Sequence, residues 1–254
     1  MNASLKTLRL QGNKLGALSG RKTDVAAAFA EVLGGNNNLA SLDLRSNGFG
    51  PRAGALTGFC RGNRGLKILR VGWNHLRGPG GRLFVENIMR SCTGAVLGAL
   101  DLSFCGLDDS VGVRLGQMFA SPRAGALHTL DASHNALGPT AGAVIAAGLQ
   151  MAKNIRTLRL GFNPLGLEAT MAIVDALKVS ATLEAVGLEN TVNRSIADDP
   201  EQWVLQQRAA RALQPPGKDD KKGPWNDFLE WFLRTRWICL HVTGTTWVLI
   251  VAVA

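Results

Sequence analysis

Tyrosine is absent from the chain, and cysteine and histidine are scarce, with four of each in 254 residues. Cys60, Cys92, Cys105 and Cys239 stand far apart with no C-x-x-C pair, which excludes the spacing of a zinc module or of a dense disulfide framework. His75, His128, His134 and His241 show no metal-ligand spacing either. No serine or cysteine has an evident base partner, so nothing points to nucleophilic catalysis. A phosphate loop is missing too: in Gly16–Thr23 (GALSGRKT) three residues separate the glycines and Arg21 precedes the lysine, where the phosphate cradle needs four and none. Gly78, Gly80 and Gly81 do not form a dinucleotide fingerprint. The expectation is a non-enzymatic chain with no cofactor, no metal and no small-molecule substrate.

Charge is unbalanced but dispersed. Twenty-eight Lys and Arg against nineteen Asp and Glu give a formal net charge of +9, which favours acidic partners. No run of five basic residues occurs, so no nucleic-acid tail is expected. The first residues lack an apolar segment of secretory type. A cytoplasmic, reducing setting is therefore expected, and Asn2-Ala-Ser4 and Asn193-Arg-Ser195 carry little weight as glycosylation sites.

What the sequence has in abundance is a repeat. The pattern L-x-x-L-x-L-x-x-N-x-L opens with Leu5, Leu8, Leu10, Asn13 and Leu15. It recurs from Leu39, Leu66, Leu97, Leu127 and Ile155, with a weaker seventh copy from Leu183 that has Thr191 at the asparagine position. Successive starts lie 34, 27, 31, 30, 28 and 28 residues apart. The L-x-L centre predicts a short strand whose alternation sends the leucines to one side. The asparagine falls where the chain leaves the strand, and its amide can satisfy backbone groups of a stacked neighbour, which accounts for a polar residue inside the core. Cys105 takes that place in the fourth copy, a known variant. No single copy can bury its apolar face, so stacking must build the core.

Between strands the apolar period becomes helical. Thr170, Ile173, Val174 and Leu177 share one face; Val144, Ala147 and Gly148, and Val113, Leu115, Gly116 and Phe119, predict equivalent helices earlier. Asp24 is placed to cap a first helix carrying Val25, Phe29, Val32 and Leu33. This unit of about 28 residues resembles the ribonuclease-inhibitor-like class of leucine-rich repeats, found also in NOD-like receptors and Ran GTPase-activating proteins. The resemblance covers Leu5 to Asn193. It implies an α/β horseshoe solenoid of about seven strand-helix repeats, with parallel strands on the concave face and helices outside. It also implies a protein-binding scaffold, with a Ran-type GTPase activator as the enzymatic alternative. Against the latter, the segment after the repeats is not acidic but mixed Lys/Asp and then apolar.

The solenoid is expected to span 1–193. Asp199 and Pro200 predict the start of a capping helix within 194–214, and 215–224 (PPGKDDKKGP) has linker composition. Residues 225–254 form an apolar tail with four of the six tryptophans, and 237–254 contain no charged side chain. Three readings stand for this tail: a membrane anchor, with the solenoid as a membrane-surface adaptor; a hairpin of Ile238–Val242 with the run from Trp247, turning at Thr243-Gly244; or a non-native extension.

Alternation puts the residues that flank the buried leucines on the open strand face. One column holds Arg9, Asp43, Arg70, Asp101, Asp131 and Arg159, then Gly187. The next holds Gln11, Arg45, Ser103, Ser133 and Glu189, with glycine at 72 and 161. At the strand exit stand Trp73, Phe104, His134 and Phe162. Arginine and aromatic residues are the commonest interface anchors. The charged residues of the first column, Arg45 and the four rings are therefore the candidate partner-binding set, for a protein partner whose identity the sequence does not give.

Overall fold

The computed structural model describes residues 4–18, 25–50, 56–57, 63–91, 97–121, 126–192, 238–243 and 246–252. Seven three-residue strands pair in parallel: β1 (Thr7–Arg9), β2 (Ser41–Asp43), β3 (Ile68–Arg70), β4 (Ala99–Asp101), β5 (Thr129–Asp131), β6 (Thr157–Arg159) and β7 (Ala185–Gly187). Among the described residues five α-helices lie between successive strands, every gap but that from β2 to β3 holding one: α1 (Val25–Gly34), α2 (Gly78–Ser91), α3 (Asp109–Ala120), α4 (Pro139–Met151) and α5 (Leu167–Val179). The result is an α/β leucine-rich-repeat solenoid with one open sheet.

Register follows from the repeat. Leu8, Leu42, Leu69, Leu100, Leu130, Leu158 and Val186 stand side by side as the middle residues of their strands. From Leu42 onward each is at most 3% exposed. The third residues of the strands align in the same way, Arg9 beside Asp43, then Arg70, Asp101, Asp131, Arg159 and Gly187.

The asparagines perform the expected bridging. Asn135 donates from Nδ2 to the carbonyl of Ala132 in its own repeat (2.9 Å) and of Leu102 in the preceding one (3.0 Å), while its Oδ1 accepts from the N–H of Cys105 and Leu107. Asn47, Asn74 and Asn163 also reach back one repeat, to Leu10, Leu44 and Ala132. Cys105 has no amide and substitutes a weaker bond from Sγ to the Val71 carbonyl at 3.4 Å. Burial pushes its thiol up to about 12, although a bond from the Asn74 backbone opposes the shift.

Helices α3, α4 and α5 stack closely because their contacts are built from small residues. A Cβ at Gly116 would collide with the backbone of Val144, and one at Gly148 with the backbone of Gly116. Asp108 caps α3 by accepting from the N–H of Ser110 and Val111. The buried face of α4 is Ala141, Gly142, Ile145, Ala146, Gly148 and Leu149. Ala147, assigned to that face from its spacing, is instead exposed, as is Val32 on α1. In an Ala- and Gly-rich helix, polarity contrast is too weak to fix the inward direction, and close backbone approach decides it.

The apolar tail contributes β8 (Ile238–Thr243) and β9 (Thr246–Ala252), an antiparallel hairpin in which Val242 faces Trp247; β9 then pairs antiparallel with β7. No helix among the described residues is long and apolar enough to cross a membrane. The proposed caps at Asp24 and Asp199–Pro200, the 215–224 linker and most of the GALSGRKT loop lie outside the described residues.

Candidate functional site

The open strand face carries two parallel rows, one of charge and one of rings. Each row arises because the same repeat position recurs at each strand step, about 4.7–4.9 Å apart.

The ring row stands just beyond the strands. Six equivalent residues immediately before the asparagine position, Ser46, Trp73, Phe104, His134, Phe162 and Asn190, have φ between 51° and 59°, and Gly12 at the same place in the first repeat has φ 75°. This left-handed backbone disfavours ordinary side chains by about 1–2 kcal/mol each. It recurs because the chain must turn sharply there for the next residue, the asparagine or its substitute, to point inward. The side chain is thereby thrown outward in the same direction from each repeat after the first. In four consecutive repeats that side chain is a ring. Trp73 and Phe104 stack at 3.8 Å between centroids, Phe104 and His134 at 4.0 Å, and His134 and Phe162 at 4.0 Å, with interplanar angles of 10–14°. Trp73 and Phe162, at the ends, are 56% and 44% exposed. The interior faces of the stack are consumed by ring–ring contact, so the row presents ring edges and two terminal faces.

The charged row runs beside it, and its members differ in availability. Asp43 is only 3% exposed. Arg45 folds over it with a bidentate contact, Nη2 to Oδ2 at 2.7 Å and Nε to Oδ1 at 3.0 Å. Burial raises the Asp43 carboxyl, but the side-chain and backbone bonds from Arg45 and the charges of Arg45 and Arg70 outweigh it, so the net shift is downward. The hydrogen bond that Arg45 donates to that carboxylate raises Arg45 in turn, against its partial desolvation. Asp43 therefore lies under the surface that alternation alone assigns to it, and Arg45 is the exposed member of the pair.

Asp101 and Asp131 are held by a shared device. In each, Oδ1 accepts from the backbone N–H of the serine two residues on (3.0 Å) and from its hydroxyl, at 2.7 Å from Ser103 and 2.6 Å from Ser133. This fixes the carboxylate and turns Oδ2 away from the serine. Oδ2 of Asp131 meets Arg159 at 3.4 Å, a loose surface pair of small value. Among the described residues no hydrogen bond reaches Oδ2 of Asp101, and Arg70 makes no ion pair. Gly72 is required beside Asp101, because a Cβ there would press on Asp101 Oδ1 and Ser103 Oγ at 2.9 and 2.8 Å. The Asp-x-Ser signal stands plainly in the sequence at 101–103 and 131–133, but spacing alone did not identify serine as the group that orients the carboxylate. Arg9 stands at the first strand, exposed and apart from the ring row.

A second concavity, of about 330 Å³, lies where the strands begin. It is bordered by His128, Lys153, Arg156 and Glu184, with Arg156 and Glu184 paired at 3.0 Å. Nothing in the sequence pattern marks it. Among the described residues no group of His, Cys, Asp or Glu is arranged to hold a metal ion.

A family model for the leucine rich repeat matches residues 35–55, the span that contains β2 and its asparagine turn. No curated protein matches the chain. The matched repeat and the seven stacked strands together support a leucine-rich-repeat family, whose members generally serve as protein-interaction modules.

Proposed function

We propose that this chain is a non-enzymatic recognition module that binds a protein partner across the open strand face of repeats three to six. The observation that carries this reading is the coincidence, on the same four repeats, of the ring row Trp73–Phe104–His134–Phe162 and the charged row Arg70–Asp101–Asp131–Arg159. Rings supply rigid apolar contact at small entropic cost, and charged groups beside them set orientation and discriminate between partners. The face is broad and open rather than a pocket, which suits a macromolecular surface better than a small ligand.

The test is a combined replacement of Arg70, Trp73, Asp101 and Phe104 by alanine. All four lie on the open face, outside the leucine core, so the variant is expected to keep a circular-dichroism melting midpoint close to that of the parent chain. It is expected to lose partner capture in an affinity pull-down run beside the parent chain and a chain ending at Pro224. Undiminished capture by the folded variant overturns the strand-face assignment.

A further inference from the structure

Beyond the buried Asp43, the charged row has an order that selects among partners. On adjacent strands in register it reads Arg70, Asp101, Asp131, Arg159: positive, negative, negative, positive. We infer that the partner segment seated on this row is an amphipathic α-helix lying across the strands, which presents an acidic, a basic, a basic and an acidic side chain on successive turns beside an apolar stripe. The inference rests on the strand-face reading above and gives it a chemistry.

Spacing separates helix from extended chain. Strand-to-strand steps are about 4.7–4.9 Å, so the row spans about 14 Å over three steps. A helix offers one side chain of a given face per turn of about 5.4 Å, or about 16 Å over three turns. An extended chain offers same-face side chains every 6.4–6.8 Å or so, about 20 Å over three. A helix misses the row by about 2 Å, which flexible Lys and Glu side chains absorb; an extended strand misses by about 6 Å.

Charge order then disfavours a second copy of this face seated in register. In an isologous face-to-face dimer, the palindromic row would set Arg over Arg and Asp over Asp. Like charges so placed repel, so the row disfavours self-association and favours a partner of the inverse order. The two carboxylates at the centre are pre-oriented by Ser103 and Ser133, and so receive the basic pair with little reorganisation. Trp73 and Phe162, the exposed ends of the ring row, supply the apolar border along which the second stripe packs.

The palindrome permits a test free of net-charge effects. Two labelled helical peptides share one composition and the same flanking leucines at i+3 and i+10. One carries Glu, Lys, Lys, Glu at i, i+4, i+7 and i+11, and the other Lys, Glu, Glu, Lys. Both are neutral, so the overall positive charge of the chain favours neither. Fluorescence anisotropy with the full chain at roughly 50 mM salt is expected to show binding of the first peptide at least about tenfold tighter than the second. The inverted variant R70E/D101K/D131K/R159E, checked for fold by circular dichroism, is expected to reverse the preference. Equal binding of both peptides, no saturable binding of the first, or an unreversed preference in the folded variant overturns the inference. Any of these results, alongside loss of partner capture in the alanine variant, removes the charge-order reading while the strand-face function stands.

Discussion

Leu130 and Ala132 in the fifth repeat are 1% and 0% exposed, whereas their counterparts Leu8 and Leu10 in the first are only half-buried. The two repeats share the same strand length and the same turn with a left-handed residue before the asparagine. They differ in neighbours. β5 lies between β4 and β6, while β1, among the described residues, pairs with β2 alone. Asn135 bridges to Leu102 in the preceding repeat, while Asn13 turns its amide onto Leu10 and Gln11 of its own. A repeat of this kind therefore owns little stability of its own, and the value of each apolar residue is set by what stacks on either side.

Truncation of the core is the strongest way to break that comparison. Leu130→Ala is expected to cost about 2–5 kcal/mol, and Leu8→Ala less than about 1 kcal/mol, since less surface leaves water there and the site relaxes more easily. Urea unfolding of both variants measures the gap, and equal losses would place the first repeat in the same cooperative unit as the fifth. The loss at Leu130 should also separate the array into two weaker blocks, seen as a broadened transition.

A smaller contrast lies in the asparagines. Asn163→Ala strands the carbonyl of Leu160 and the N–H of Leu137 in a buried setting, leaves the Ala132 carbonyl with Asn135 as its remaining amide donor, and is expected to cost about 1–3 kcal/mol. Asn13→Ala, where the side chain is exposed, is expected to cost about 0.5 kcal/mol or less. Matching destabilisation by the two would show that bridging to a neighbour adds nothing to the bond within a repeat.

The smallest effect distinguishes Cys105 from the asparagines around it. Because its folded pKa is raised to about 12, the native thiol stays neutral where an unfolded thiol ionises. The stabilisation is therefore complete below the ordinary thiol range and lost as pH rises through that range towards 12. Site-resolved mass spectrometry after iodoacetamide at about pH 9 should find Cys105 unlabelled in the folded chain and labelled in urea. Labelling of the folded chain at the unfolded rate would mean that this rung opens freely.

The strand register and the inward leucines were legible in the sequence because a period of two with large aliphatic side chains has one burial solution. Helix directions were less legible. Val32 is 67% exposed despite its apolar character, and Ala147 turns out because Gly148 is the residue that must approach Gly116. The charged row was visible as a column, but Asp43 disappears beneath Arg45 through a local fork that alternation does not encode. The four rings were legible as a set; their face-to-face stacking follows from the left-handed backbone beneath them, a property of the turn rather than of ring spacing along the chain.

That stacking has a mechanical consequence. Ring centroids repeat every 3.8–4.0 Å, whereas the strands beneath repeat at about 4.7–4.9 Å. Two rows joined at every rung, one with a shorter step than the other, behave as a laminated strip under built-in curvature load. Lengthening the ring side opens van der Waals gaps before it strains a backbone hydrogen bond, because dispersion contact falls away within an ångström. Across repeats three to six, ring contact therefore resists any change that lengthens the ring side, a restraint that Gly12, Ser46 and Asn190 at the same place in the other repeats do not supply.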